Sequence, residues 1–322
     1  MSKKLLENVQ YGMTWTSYIA GVHAALTHAG MWKDEVWKLM GMTGMAFHFI
    51  VHKTCCASSV TVYDWISDHL AMMDRIGIHS DFYQTYYESN SSTFALRQKD
   101  AIERIKASID KGICAVVWAP TRVLEFGILN GYDDEDGVFN VIDCSGQMQD
   151  PLLYINLGKS DVPILAYQLF KDKVEVDYEQ VYRDSLKYAV SEWEKDFHIS
   201  PDFASGKKAY TYMILSLEND SFDTFGLSYI TSVYHDSKKC IEKYLDFLST
   251  KSARLKGLEK AAAIYGQIVE KYHTMNELFP FSGENGAGCM ADRTNAPALL
   301  KLARECSELE SQAMSIIAAS LQ

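Results

Sequence analysis

The stretch FHFIVHKTCCASS brings an imidazole close to two thiols, because His52 precedes Cys55 and Cys56 by three and four residues. A thiolate activated by a neighbouring imidazole is a strong nucleophile, so this spacing is a candidate for thiol catalysis. A His and a Cys four residues apart can meet on a helix but not on a strand. Vicinal cysteines are also often small buried residues. Two interpretations stay open: His52 serves a reactive Cys56 or Cys55, or all three are core residues.

Two carboxylates form a second candidate site. Glu125 and Asp143 lie next to turns in segments with strand character, and Tyr132 lies on the same predicted hairpin. Paired carboxylates could bind a cationic amine, which agrees with the acidity of the chain. The competing interpretation is that both carboxylates are solvated or paired with lysines. The stretch YDDEDG lacks the ligand order of a calcium loop and is typical of a hairpin turn.

Composition excludes several classes of partner. The 322 residues have a net charge of −11 and no basic cluster, which argues against nucleic acid and against an anionic membrane surface. The sequence has no window with the ~18 apolar residues of a membrane span and no signal peptide, so we expect a cytoplasmic protein. Seven scattered cysteines indicate reduced thiols, and no CxxC or HExxH motif predicts a metal site. We expect no cofactor.

The elements that must position these residues differ between the two parts of the chain. Residues 1–175 mix helical and alternating patterns, which predicts an α+β domain. A helix is expected from Trp15 to Leu26, with Trp15 on its buried face. Strands are expected at 114–119, 123–131 and 137–143, the last two as an antiparallel hairpin.

Residues 176–322 predict an all-helical domain, because nearly every long segment repeats apolar residues at helical spacing. Helices are expected at 177–197, 206–219, as a long pair between 226 and 275, and at 297–321. The polar, glycine-rich stretch 281–297 predicts a surface loop in which Cys289 is exposed. Cys114 and Cys144, on predicted strands, are expected in the core.

Several stretches carry a resemblance that covers most of the chain. They resemble the papain-like cysteine peptidase and acyltransferase superfamily, and are most similar to the bacterial proteins grouped with the butirosin biosynthesis acyltransferase and to the double-glycine bacteriocin-processing peptidases. The stretches are TSYIAGVHAALTHAG, GMTGMAFHF, AIERIKASIDKGICAVVWAPTRVLEFGILNGYDDEDGVFNVID, GKKAYTYMILSL and LFPF.

The resemblance implies a papain-like fold, with an N-terminal helix on an antiparallel sheet, and a catalytic triad. A nucleophilic Cys would begin the first helix, a His on the following sheet would take its proton, and an acid on the next strand would orient the His. Carried onto this chain, the nucleophile position is Gly21, the base position is Glu125 and the orienting position is Asp143. Ser17 and Tyr132 are expected to bind substrate. Only the acid matches the family pattern. The nucleophile position is not a Cys, and no Cys occurs before Cys55; the base position is a Glu and not a His.

Three interpretations follow from the missing thiol: the thiol mechanism is lost, Gly21 is an engineered replacement, or the active constellation lies elsewhere. The resemblance implies acyl transfer or amide or thioester processing, in bacterial secondary metabolism, with a small-molecule or peptide substrate and an acyl carrier protein as donor. The alternative is a non-catalytic protein that binds a small molecule or peptide in the ancestral cleft. In either case the backbone of Gly21 is expected to face Glu125 and Asp143 across that cleft.

Overall fold

The structure is a computed structural model that describes residues 2–88, 91–195, 200–252, 254–281 and 292–322. Most of the predicted loop at 281–297, including Cys289, lies outside these residues. The strands are β1 (Lys3–Leu5), β2 (Ile50–His52), β3 (Ile78–Tyr86), β4 (Ala115–Trp118), β5 (Phe126–Asp133), β6 (Val138–Ile142), β7 (Leu152–Leu153), β8 (Ile164–Lys173) and β9 (Phe203–Ser205). The α-helices are α1 (Ser17–His28), α2 (Val36–Thr43), α3 (Trp65–Arg75), α4 (Phe94–Asp110), α5 (Tyr178–Glu194), α6 (Lys207–Glu218), α7 (Thr224–Lys251), α8 (Leu258–Leu278) and α9 (Ala296–Ser320).

The chain divides into two compact units. The first, the sheet unit, comprises Met1–Leu39 and Trp65–Glu175; the second, the helical unit, comprises Met40–Asp64 and Val176–Gln322. One division falls at the predicted position after residue 175. The grouping of residues 40–64 with the helical unit was not predicted. Within the described residues, no helix is long and apolar enough to cross a bilayer.

The sheet unit is built on an antiparallel sheet with the order β3-β8-β4-β5-β6-β7, and β1 pairs with the second half of β5. The predicted hairpin is confirmed: β5 pairs with β6 across the turn, and β4 pairs with β5. The edge strand β3 and its neighbour β8 were not predicted. Together with the helical part of the chain, this sheet confirms the α+β class.

Helices cover both faces of this sheet. A Cβ atom added to Gly21 of α1 would lie 3.4 Å from side-chain atoms of Val116 and Ile128, so α1 packs on the face to which these residues point. Tyr167 and Gln168 are neighbours on β8 and therefore point to opposite faces. The Tyr18 hydroxyl of α1 donates to Gln168 Oε1 at 2.7 Å, which places Tyr167 on the other face, the one that α4 covers.

The helical unit has the expected helices over residues 178–320, and strands β2 and β9 pair beside them. The segment 40–64 is tied to these helices by specific contacts. The Tyr234 hydroxyl of α7 bonds the backbone oxygen of Ile50, and His48 is hydrogen-bonded to the Tyr188 hydroxyl of α5. Within this segment the chain is a strand only at Ile50–His52, and Met45–Phe47 forms a 3₁₀ turn.

A buried ionic cluster lies in the core of the helical unit, and we call it the Glu310 cluster. Lys238 of α7 and Glu310 of α9 are 1% and 3% exposed, and their Nζ and Oε1 atoms are 2.6 Å apart. The hydroxyls of Tyr210 and Tyr265 donate to the same carboxylate at 2.7 and 2.9 Å. The Lys238 ammonium also lies 4.4 Å from the centre of the Phe49 ring. This carboxylate thus accepts three hydrogen bonds away from water.

Candidate functional site

The first turn of α1 carries a hydroxyl that is hydrogen-bonded to a carboxylate. Ser17 is the first residue of the helix, and its Oγ donates to Glu125 Oε2. The same Oγ accepts a hydrogen bond from the backbone N–H of Phe126 at 3.1 Å. Glu125 is held just before β5, because its backbone oxygen accepts from the N–H of Ala119 at 2.8 Å and closes the connection from β4. The sequence therefore folds Ser17 and Glu125 into direct contact.

Tyr11 fixes the backbone around this pair. Its hydroxyl lies 2.8 Å from the backbone oxygens of both Ser17 and Phe126 and donates to one of them. Burial raises the Tyr11 pKa well above its ordinary value, and the nearby charges of Glu125 and Asp143 raise it further. The phenol is therefore protonated at neutral pH, and it links the helix start to the start of β5.

Asp143 follows β6 and lies within electrostatic reach of the same site. Its Oδ1 accepts from the backbone N–H and the hydroxyl of Ser145 at 3.0 and 2.6 Å, and Thr121 Oγ1 lies 3.4 Å from its Oδ2. Cys144 is exposed, whereas the sequence analysis placed it in the core. Even so, desolvation, followed by the charges of Glu125 and Asp143, raises the pKa of its thiol to about 12. Cys144 is therefore a thiol, not a thiolate, at neutral pH.

The nucleophile position predicted at Gly21 needs correction. Gly21 is in the second turn of α1 and is directed at Val116 and Ile128, at the packed interface between helix and sheet. A side chain at this position would not face Glu125 or Asp143. The residue that begins the helix is Ser17, one turn earlier, and Trp15, predicted on the buried helical face, precedes the helix and is 45% exposed. Thr16 is the N-cap residue and is the only sequence signal for this start, a weak one because its side chain makes no capping hydrogen bond.

Tyr132 does not belong to this site. It lies near the far end of β5, seven residues from Glu125 and so roughly 23 Å along an extended strand. Its hydroxyl donates to Asp110 Oδ1 at 2.8 Å, and the ammonium of Lys106 lies 4.7 Å from its ring centre. The expectation that Tyr132 binds substrate beside Glu125 is therefore wrong; it connects β5 with α4.

The structure does not assemble the alternative thiol site. The Cys55 thiol is fully buried, its Sγ lies 2.9 Å from Ser216 Oγ, and burial raises its pKa to about 12. His52 Nδ1 lies 2.9 Å from Thr54 Oγ1, and burial lowers the His52 pKa. Cys56 is half-buried and accepts from the Ser58 hydroxyl at 3.2 Å. Among the described residues, the His52 imidazole forms no hydrogen bond with either cysteine, because the chain is a strand at His52 and turns immediately after it.

Within the described residues, no group of three or more His, Cys, Asp or Glu side chains could hold a metal ion. The chemistry available at the helix start is that of a hydroxyl and a carboxylate. A hydroxyl that donates to a carboxylate can lose its proton to that carboxylate as it attacks an electrophile. A pair of carboxylates at the same place also attracts ammonium groups.

Comparison with known proteins assigns the chain to no class. No family model matches the sequence, and no curated protein matches it. The function is therefore argued from the geometry of the site.

Proposed function

We propose that the sheet unit is a papain-like acyl-transfer domain in which the Ser17 hydroxyl replaces the cysteine thiol and Glu125 replaces the histidine. The observation that carries this proposal is the hydrogen bond from Ser17 Oγ to Glu125 Oε2 at the first residue of α1. A papain-like site needs its nucleophile at the start of the first helix and its base on the following sheet. By the resemblance, Asp143, on the next connection of the sheet, would be the orienting acid.

The reaction would proceed through a Ser17 ester. Ser17 Oγ attacks the carbonyl carbon of a thioester or amide while its proton passes to Glu125, and the leaving thiolate or amine takes that proton as the carbonyl reforms. An amine or water then attacks the ester, gives its proton to Glu125 and releases Ser17, which recovers the proton. The N-terminus of α1 favours the negative charge that develops beside it. The charges of Glu125 and Asp143 favour an acceptor with an ammonium group. By the resemblance, the donor is an acyl carrier protein in bacterial secondary metabolism.

A second candidate function is non-catalytic binding of a small molecule or peptide at the same place. The observation in its favour is that Ser17 is 6% exposed and already both donates and accepts a hydrogen bond. A hydroxyl held in this way supports the position of Glu125, which would bind the cationic group of the ligand.

Thioester hydrolysis and aminolysis distinguish the two functions. Acyl N-acetylcysteamine thioesters would be offered with and without a diamine, and thiol release would be followed. The proposal expects Ser17→Ala and Glu125→Gln each to lower the rate at least a hundredfold, in the range of removing general-base help. Ser160→Ala, which removes a hydroxyl bonded to the Val162 backbone in an exposed loop, serves as the matched control and should change nothing.

The pH profile and the acyl-enzyme give independent readouts. A carboxylate base is in its active form from about pH 5 upward, whereas an imidazole base requires about pH 6.5. The Ser17→Cys variant should accumulate an acyl group on the peptide that contains residue 17, detected by mass spectrometry. If Ser17→Ala and Glu125→Gln hydrolyse the thioester as fast as the control Ser160→Ala, acyl transfer at this site is excluded. Diamine binding that Glu125→Gln abolishes, without turnover, would establish the second candidate.

A further inference from the structure

A groove on the α4 face of the sheet carries charged groups that the proposed acyl-transfer site does not use. Its volume is about 270 Å³. Strands β3 and β8 form its floor, through Tyr83, Thr85, Leu165 and Tyr167, and residues of α4 form its wall. Because Tyr167 and Gln168 point to opposite faces, the groove is separated from the Tyr18 side of the sheet by the sheet itself.

Two guanidinium groups line the wall. Arg97 and Arg104 are two helical turns apart, about 10.5 Å along the axis of α4, so they project on the same side. Within the described residues, neither arginine forms an ion pair, and the Arg97 guanidinium makes no hydrogen bond. Arg104 donates one hydrogen bond, to the Tyr83 hydroxyl at 2.6 Å, and lies 4.7 Å from the centre of that ring. Unpaired guanidinium groups are notable in a chain with 42 acidic and 31 basic residues.

A tyrosine hydroxyl supplies a third donor. Tyr167 is 4% exposed and lines the groove, and among the described residues its hydroxyl forms no hydrogen bond within the protein. A hydroxyl that opens to a groove without a protein partner can donate to a ligand. Burial raises the pKa of Tyr167, so the hydroxyl is a proton donor at neutral pH. The Tyr83 ring is stacked on the Tyr167 ring, with the two ring centres 4.9 Å apart, and this stacking fixes the Tyr167 side chain.

The number of donors selects the anion. Two guanidinium forks and one hydroxyl offer more hydrogen bonds than the roughly four lone-pair positions of a carboxylate can accept. A phosphate group, with three terminal oxygens, can accept from both forks and the hydroxyl together. Asp100 lies between the arginines on the helix and lines the same groove, so it would accept from an O–H or N–H of the ligand.

We infer that this groove is a binding site for the phosphate group of a small phosphate monoester, held by Arg97, Arg104 and Tyr167. The volume is slightly below that of typical ligand pockets, which limits the ester to a small organic group. The leucine and threonine of the floor would contact that group. This site does not depend on the proposed acyl-transfer function, because it shares no residue with it.

Isothermal titration calorimetry with phenyl phosphate, inorganic phosphate and benzoate tests the inference on the full chain. We expect saturable binding of phenyl phosphate, and weaker binding of benzoate. The double variant Arg97→Gln/Arg104→Gln should weaken phenyl phosphate binding by about tenfold or more, since it removes both charged forks. Tyr167→Phe should weaken it less, and Asp100→Asn should strengthen binding of inorganic phosphate by removing a like charge.

Lys99→Gln is the matched control, because it removes one positive charge from the same helix outside the groove, where Lys99 pairs with Glu103. This variant should bind phenyl phosphate as the wild type does. An equal loss in Lys99→Gln would show that only the general charge of α4 matters. Absence of saturable binding at millimolar phenyl phosphate, or benzoate bound as tightly as phenyl phosphate, would overturn the inference.

Discussion

Replacing Lys238 by Met should destabilise the helical unit through the charge that it leaves behind. Lys238 is almost fully buried and pairs with Glu310 at 2.6 Å, so its loss leaves a buried carboxylate without a cation. The hydroxyls of Tyr210 and Tyr265 still donate to this carboxylate. Met fills most of the volume of the Lys stem, so the change is mainly electrostatic.

The size of the effect follows from the charge that stays buried on Glu310. Removing one partner of a buried ion pair typically costs about 3–5 kcal/mol, because the other charge is left uncompensated. The two tyrosine hydroxyls still stabilise the carboxylate, so we expect Lys238→Met to lose about 3 kcal/mol, at the low end of that range.

Amide hydrogen exchange of α7 peptides measures this loss within the helical unit, where a single global unfolding transition is not assured. Lys239→Met is the matched control, since Lys239 is the exposed neighbour on the same helix and should stay within about 0.5 kcal/mol of the wild type. The double variant Lys238→Met/Glu310→Gln should lose less than the single one. A loss below about 1 kcal/mol, or a double variant that loses as much as the single one, would refute the electrostatic reasoning.

Three further changes test the packing and the titrations. Gly21→Cys should lower the free energy of unfolding by roughly 1–3 kcal/mol. The reason is that a Cβ atom at this position already lies 3.4 Å from Val116, and the sulfur must extend beyond it. An unchanged melting temperature would contradict this placement. Asp134, whose pKa Lys106 lowers to about 2, should stabilise the fold above about pH 4 and lose this effect as pH falls towards 2. Circular dichroism during acid titration should therefore show a shallower slope for Asp134→Asn, and an identical slope would be contrary evidence. Cys55 should react with iodoacetamide only after unfolding, since burial raises its pKa to about 12, and rapid labelling of the folded chain would oppose this.

The elements that the sequence predicted well are those with local signals. The turn DDEDG between two β-branched runs predicted the hairpin β5–β6, and helical spacing predicted α5 to α9. The strands β3 and β8 gave no clean alternation, because Gln168 and its neighbours on β8 are buried on both faces. Their pairing joins residues far apart in the chain, which composition and spacing do not reveal.

The candidate site was predicted in part. The resemblance identified Glu125 and Asp143, and it placed the nucleophile position at Gly21, one helical turn after the first residue of α1. The start of α1 is weakly marked, because Thr16 makes no side-chain cap and the apolar Trp15 continues the helical pattern outward. The groove at Arg97 and Arg104 could not be found from sequence, since a charged helix face is usually only solvated and only the fold brings Tyr167 beside it.

The assignment of residues 40–64 to the helical unit has a consequence for synthesis of the chain. This segment is apolar, with Phe47, Phe49 and Ile50 buried in the folded protein, and its partner Tyr234 is on α7. At 5–20 residues per second, α7 is completed roughly 10 to 40 s after residue 64 is added. During that interval the ribosome carries an apolar segment whose binding surface does not yet exist. In growing chains this segment therefore stays exposed until α7 is complete, which favours aggregation at this step.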